Sequence, residues 1–550
     1  MTAFRKPPHS IGDSTLLRIG ASLVRPDPAG CPLGRALRAR ALVKAPGRLP
    51  AKPVEDFSFK PFFALLDAVE HGGRSLVEAA ADPANLRKCT PVHVAWAREA
   101  AHHYLTARTD REAAQGAAGQ SPLLPVAPAW VAGSKKLAQP DARGVTQYER
   151  TVWGRGYASR DGRVREIWIP SLGTVKRDRP AVEIAAVAHV LLTGAPSLTP
   201  FGAPSTPLPG PHVRPERIRV IGVGLADGGT EILADWTAEE TEHRYLRAEV
   251  AASMADLADA TEARPSADCV RCVGLPDCVA VPRVPGLLGV AATPRKRRSL
   301  SVSDLRAYGN CAEQYHATRV LKLRDGRTES AAIRRGRAVD AWLNGRHADP
   351  ARGSCRAVPL PEHLPGLTAD EQYEALAMLR QHRAHCPFDG LADHETVEPQ
   401  RRIVAYDPQA DVVLVADCDL IHTDRGGVVV RETKTTTSSY THAGGLMRQY
   451  PQLALAVLLV EGGVLGGDAL RSRIELEVLR PDGARLEELD PHDSRTVGRA
   501  RALLRELVAD WAADRGYQAA PSSGTDCRAC DVHGWCATGR ERTKTVDGAA

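Results

Sequence analysis

Two cysteine triads of one spacing, C-x2-C-x5-C, constrain this chain more than any other feature: "CVRCVGLPDC" (269–278) and "CRACDVHGWC" (527–536). In a chain without an export signal, clustered cysteines read as metal ligands rather than disulfides. Zinc and iron–sulfur sites usually take four protein donors, so each triad lacks one. A distant cysteine must come back to each.

An internal repeat supplies the partners. Around Cys311 the text reads "SLSVSDLRAYGNCAEQYHATRVLKL", where Leu305, Tyr308, Tyr315 and Val320 recur at helical intervals and Ser303 reads as an N-cap. Around Cys31, "GDSTLLRIGASLVRPDPAGCPLGRALRARALVK" again gives an apolar lead, a cysteine and a basic helical pattern. Later, "IRVIGVGLADGGTEI" and "RIELEVLRPDGARL" are both strand–turn–strand patterns, each followed by a helical stretch and a triad. Before them lie the apolar helices "AVEIAAVAHVLL" and "QYPQLALAVLLVE". The matching order reads as one plan written twice, with a boundary near 285–299. Cys311 is therefore grouped with Cys527, Cys530 and Cys536, and Cys31 with Cys269, Cys272 and Cys278. The one-plus-three division lacks the two-plus-two pattern of a zinc ribbon and favours iron–sulfur clusters, one or two. Cys89, Cys355, Cys386 and Cys418 read as scattered, buried structural cysteines.

With 550 residues the chain exceeds one ordinary core, and 43% hydrophobic with 25% charged residues suits a soluble globular protein. "LALAVLLV" is too short to span a bilayer and "MTAFRKPPHS" lacks the apolar core of a secretory signal, so a cytoplasmic protein without membrane partners is expected. A net charge of +6 permits nucleic-acid binding without demanding it, and "RKRR" (295–298) reads as a solvated linker.

The chemistry concentrates in "VVLVADCDLIHTDRGGVVVRETKTTTSSY" (412–440): a strand, the turn "HTDRGG", and a second strand "VVVRETKT". Alternation puts Glu432 and Lys434 on one face, with Asp419 on the neighbouring strand. An Asp and a Glu beside a Lys suit a hard divalent cation and a positioned water. Asp417 shares a face with Asp419 by alternation and stands as an alternative ligand.

In these residues, 299–540 resembles the PD-(D/E)XK nuclease superfamily, in particular its iron–sulfur branch of RecB-type, AddB-type and CRISPR-associated exonucleases. Cys311 matches the family's opening cysteine, Asp419 its metal-binding Asp, Glu432 and Lys434 its (D/E)-x-K, and Gln452 its Gln helix. The resemblance implies Mg2+ or Mn2+ on Asp419 and Glu432 with the Thr433 carbonyl, Lys434 as the water-positioning residue, and a [4Fe–4S] cluster. Asp340, four residues after Gly336, stands where the family has His; Ala416 replaces a common Gly and Ala456 a frequent aromatic.

The corresponding stretch of the first half, "TVWGRGYASRDGRVREIWIPSLGTVKR", has no acidic residue on its lead-in strand, and "WIPSLG" stands where E-x-K would be. Pro170 argues for an edge or a break there, and His189 reads as a helix-face histidine rather than a ligand. The expected architecture is α/β: two restriction-endonuclease-like units, each a mixed sheet flanked by helices and closed by a four-cysteine site. Residues 1–290 form a pseudonuclease domain, 299–540 the catalytic one, and 541–550 a disordered tail. The expected function is metal-dependent hydrolysis of DNA, as an exonuclease or end-processing enzyme in repair, recombination or defence. Single-stranded DNA or duplex ends are the expected substrates. No Walker motif is present, so any helicase or ATPase is a separate chain. The rival expectations are a non-catalytic iron–sulfur scaffold that binds nucleic acid, and a redox-sensing regulator.

Overall fold

A computed structural model describes residues 4–47, 50, 52–133, 137–199, 202–325, 329–349, 353–438 and 445–547. The chain divides into two compact units, and both are discontinuous in sequence. The first comprises Met1–Ala280, Asn310–Gly326 and Arg515–Ala550; the second comprises Val281–Gly309 and Arg327–Asp514. Cys311 and the last cysteine triad therefore belong with the N-terminal segment. Among the described residues, no helix is long and apolar enough to cross a membrane.

The first unit contains two five-stranded sheets. One runs, in spatial order, Leu16–Gly20, Gln147–Thr151, Ala129–Gly133, Ala195–Leu198, Thr206–Pro207. The other is built on β1 (Arg155–Ser159), β2 (Val164–Ser171), β3 (Arg217–Gly224) and β4 (Thr230–Thr237), with Leu123–Val126 on the far side of β1. The long helix α1 (Pro91–Ala117) packs Trp96 and Tyr104 into a cluster with Tyr157 and Trp168 of that sheet. On the opposite face, α2 (Ala181–Thr193) packs against Ile167 and Ile169. The α2 sequence is apolar almost all round, and a helix of that kind is stable only when covered on most sides. Pro170 lies inside β2, opposite Val223 of β3, at a point where β2 is paired on that side alone, so it sits at a local edge rather than a break. It is tolerated because β1 stops pairing at Trp168, so the missing N–H meets no ladder on that side.

The second unit is one six-stranded mixed sheet. Its strands are β5 (Arg298–Leu300), β6 (Val397–Asp407), β7 (Val412–Asp424), β8 (Gly427–Thr435), β9 (Arg473–Arg480) and β10 (Gly483–Leu489). The central order is β5-β7-β8-β9-β10, with β6 also on β7. The β7–β8 hairpin turns on Arg425 and Gly426, both at positive φ (50° and 83°), the two-residue turn whose twist suits flanking strands. Helix α3 (Val302–Asn310) precedes Cys311, and its cap is Ser301 rather than Ser303: Ser301 Oγ accepts from Asp304 N, and Asp304 answers to Ser301 N at 2.8 Å. Helices α4 (Ala331–His347) and α5 (Ala369–His382) share an apolar cluster with Leu479 of β9. Helix α6 (Pro451–Glu461), apolar on all sides, connects the parallel pair β8 and β9 and packs on α7 (Ser494–Ala513). The "RKRR" run is not a solvated linker throughout: Arg298 lies in β5 with its guanidinium 3.6 Å above the Trp511 ring, and Arg297 bonds Asp411 at 2.8 Å.

The two units share a strand plan. In the first, β1–β2 is antiparallel, β2–β3 parallel across α2, and β3–β4 antiparallel. In the second, β7–β8, β8–β9 across α6, and β9–β10 follow the same three senses. The disordered tail expected from 541 is corrected: the helix Ala537–Asp547 runs through most of it, and 548–550 lie outside the described residues.

Candidate active site

The regular ladder between β7 and β8 extends from the turn only to Leu420 and Arg431. Beyond that pair the strands part, and Asp419 and Glu432 stand at the fork. Thr433 N–H donates to Asp419 Oδ2 at 2.8 Å, so a carboxylate satisfies a backbone donor that the ladder no longer reaches. On the other side, β6 and β7 keep one register, Pro399 facing Leu420 and Arg401 facing Cys418, but the ladder is interrupted between them, where Gln400, at φ 51°, lies opposite Asp419.

Lys434 Nζ lies 3.0 Å from Glu432 Oε2 and 3.3 Å from Asp419 Oδ2. The Glu432 side chain is 7% exposed, that of Asp419 23% and that of Lys434 31%. Burial pushes the Glu432 carboxyl pKa up, with Asp419 adding to it and Lys434 and Gln452 pulling it back. Burial also works against the Lys434 charge, but Glu432 and Asp419 outweigh it and hold the ammonium above its usual range. The α4 helix brings Asp340 to the same place. Its carboxyl is raised by burial and then by Asp419, with Asn344 and Lys434 acting the other way, and its Oδ1 accepts from Gln400 Nε2 at 3.3 Å. Gly336, one turn earlier, permits that approach, since a Cβ there would lie 3.1 Å from Thr435 Oγ1.

A relay extends from Glu432 outward. Gln452, at the start of α6, lies close enough to Glu432 to pull its carboxyl pKa down, and Arg306 of α3 donates to Gln452 Oε1 at 3.0 Å. The arginine fixes which end of the amide faces the carboxylate, leaving the Gln452 NH2 for Glu432. Arg306 was not singled out from the sequence; its only mark is its place on the helix preceding Cys311. Of the two aspartates left open there, Asp419 lies with Glu432 and Lys434. Asp417 forms an exposed cross-strand pair with Arg402 at 2.6 and 3.1 Å.

Three carboxylates facing one ammonium leave the cluster net negative. Oxygen donors in that balance suit a hard cation such as Mg2+ or Mn2+. Among the described residues, the first unit offers no such cluster on the corresponding strand. Where α6 faces Glu432, α2 faces Ile167 and Ile169. The buried carboxylate of β2, Glu166, has its charge taken up by Arg111 at 2.9 Å and by Trp168 Nε1 at 2.7 Å.

Both cysteine quartets come together, each within the first unit. Cys311, Cys527, Cys530 and Cys536 line one cavity. Burial pushes Cys530 up to about 11, with Cys536 and Cys311 contributing, and Gly539 N–H donates to Cys536 Sγ at 3.2 Å. In the other set, burial raises Cys272 to about 11, and Cys269, Cys31 and Cys278 add to it. Gly34 N–H and Arg264 N–H reach Cys31 Sγ at 3.2 and 3.3 Å. Cys31 and Cys311 each stand at the N-cap of a short helix. Four thiols gathered with amide donors aimed at their sulfurs fit a cysteine-ligated cluster. Cys355 and Cys386, taken from the sequence as isolated structural cysteines, instead converge with His347 and His382. The signal for them was H-x3-C at 382–386.

Residues 299–537 match the family model of the PD-(D/E)XK nuclease superfamily, a span that includes Asp419, Glu432, Lys434 and Gln452. No curated protein matches the chain. Among solved structures, SSO0001 is 15% identical over 44% of this chain and 86% of its own, with a TM-score of 0.24. A proposed exonuclease from Eubacterium rectale is 11% identical over 42% and 86%, with a TM-score of 0.28. Likenesses this distant carry no argument about what the chain does.

Proposed function

We propose that the protein is a metal-dependent DNA nuclease whose reaction centre is Asp419, Glu432 and Lys434. The observation that carries this reading is the convergence of both carboxylates on one ammonium at the fork between β7 and β8. Asp419, Glu432 and the Thr433 carbonyl hold the cation, with Asp340 as a further oxygen donor in the place of the family's His. Bound Mg2+ or Mn2+ supplies charge neutralisation at the phosphodiester and a more acidic water. Lys434 has three N–H groups; two are directed to the carboxylates, and the third orients the attacking water or a phosphate oxygen. Gln452, steadied by Arg306, keeps Glu432 turned toward the site.

The first unit, with Ile167 and Ile169 in place of the acidic face, acts as a pseudonuclease that binds strand or partner. The two quartets hold [4Fe–4S] clusters with a structural role. An exonuclease or end-processing enzyme of the cytoplasm, acting beside a separate helicase in repair, recombination or defence, is the setting that the family resemblance favours.

Purified protein incubated with Mn2+ and end-labelled single-stranded DNA, duplex DNA or RNA tests the reading. Degradation of DNA that Lys434→Ala abolishes supports it. Equal inertness of the wild type and the variant on every substrate sinks it and leaves the non-catalytic scaffold.

A further inference from the structure

We propose that His347, Cys355, His382 and Cys386 form a structural zinc site in the second unit, separate from the Asp419 centre and from both cysteine quartets. One ligand atom from each residue lies within 4.8 Å of all the others, and all four residues are buried. Among the described residues this is the one group of histidine, cysteine or carboxylate ligands drawn so close. Two thiolates and two imidazoles suit tetrahedral Zn2+, whereas a hard cation prefers oxygen.

The histidines are prepared for a metal. Glu477 of β9, itself fully buried, accepts His382 Nδ1 at 2.8 and 2.9 Å through its two oxygens. That contact fixes the tautomer and leaves Nε2 facing inward, buried and without a hydrogen-bond partner among the described residues. A carboxylate behind a histidine whose other nitrogen is vacant is the arrangement that orients zinc ligands. His347 Nε2 lies 3.6 Å from Cys355 Sγ, and Cys355 N–H donates to Cys386 Sγ at 3.2 Å. Phe388 seals the group, its ring 5.0 Å from that of His347.

The ligands come from four places in the chain. His347 ends α4, His382 ends α5, Cys386 follows one 3-10 turn after α5, and Cys355 lies in the connection between the helices. One ion would staple both helix ends to β9. The second oxygen of Glu477 also receives the Thr433 hydroxyl at 3.4 Å, so the staple reaches the strand that carries Glu432 and Lys434.

The test uses the full chain, purified anaerobically without added metal. Zinc and iron are measured per chain in the wild type and in Cys355→Ser/Cys386→Ser, and X-ray absorption is recorded at the zinc edge. The expected result is about one zinc with mixed nitrogen and sulfur neighbours at about 2.0 and 2.3 Å. The double variant should lose that zinc while its iron is unchanged. Glu477→Gln should retain zinc but release it to a chelator about 10-fold faster or more. Zinc retained in the double variant, an all-sulfur edge, or a Cys355–Cys386 disulfide in metal-free wild type would each overturn the proposal. If the double variant is insoluble, wild-type zinc content and the edge spectrum decide alone.

Discussion

Thr433 donates its backbone N–H to Asp419 Oδ2 at 2.8 Å, closing with a side chain the fork where the β7–β8 ladder has ended. Asp419 thus serves the backbone as well as the proposed chemistry, and the two roles separate by substitution. Asp419→Asn keeps an acceptor but removes the charge. Activity should fall by at least about 100-fold, while the unfolding free energy from urea titration stays within about 1 kcal/mol of the wild type. Asp419→Ala should lose the same activity and a further ~1–2 kcal/mol, because Thr433 N–H is left unmatched.

Arg306 acts through Gln452, so its loss should misplace Glu432 without removing any group from the reaction. Arg306→Ala is expected to lower kcat about 10-fold, with Gln452→Ala giving a similar loss and the double variant no more than either alone. Steady-state kinetics on one DNA substrate read this as a double-mutant cycle, and full additivity would contradict the relay.

Glu166 and Glu432 are both buried strand carboxylates with opposite expected effects. Glu166→Gln leaves the arginine partner short of its counter-charge and should cost about 3 kcal/mol of stability, while the folded protein's nuclease rate is unchanged. Glu432→Gln should abolish the rate. A catalytic loss in Glu166→Gln at a temperature where the variant is folded would argue against a degenerate first unit.

Iron content separates the quartets. Wild type purified without oxygen should carry about eight irons, Cys530→Ser about four and Cys272→Ser about four. About four in the wild type would confine the cluster to one quartet, and the two variants identify which.

His422 is buried on β7, and burial lowers its pKa to about 4, with Glu475 and Asp424 opposing and Arg431 and Arg473 assisting. The folded state therefore keeps it neutral while the unfolded chain protonates near 6.5. Its contribution is fully present above pH 6.5 and is lost as pH falls toward 4, up to about 3 kcal/mol. Urea unfolding at pH 7.0 and 5.0 should show this loss in the wild type, and His422→Phe should flatten it.

Local chemistry was the legible part of the sequence. Alternation alone put Glu432 and Lys434 on one face, the Gly-rich stretch gave the hairpin turn, and the apolar run at 453–460 gave a buried helix. Repeated spacing linked each triad to a distant cysteine, but both quartets fall in the first unit rather than one closing each, because 310–326 and 515–550 go with the N-terminal segment. What depended on tertiary encounters was not legible. His347 and Cys355 meet His382 and Cys386 only because α4 and α5 end side by side on β9, and no spacing rule links the two pairs. Arg306 reaches Gln452 across 146 positions of sequence. Asp417 and Asp419 were indistinguishable by period, because the difference lies in what β6 and β8 set opposite each.

The first unit is completed only by residues 515–550, after the whole of the second unit's sequence has passed. During synthesis the N-terminal segment leaves the ribosome without Cys311, and later without Cys527, Cys530 and Cys536. The second unit can collapse while the first still waits for its last strap of chain. A fragment cut at 299–540 therefore carries part of one unit along with the other.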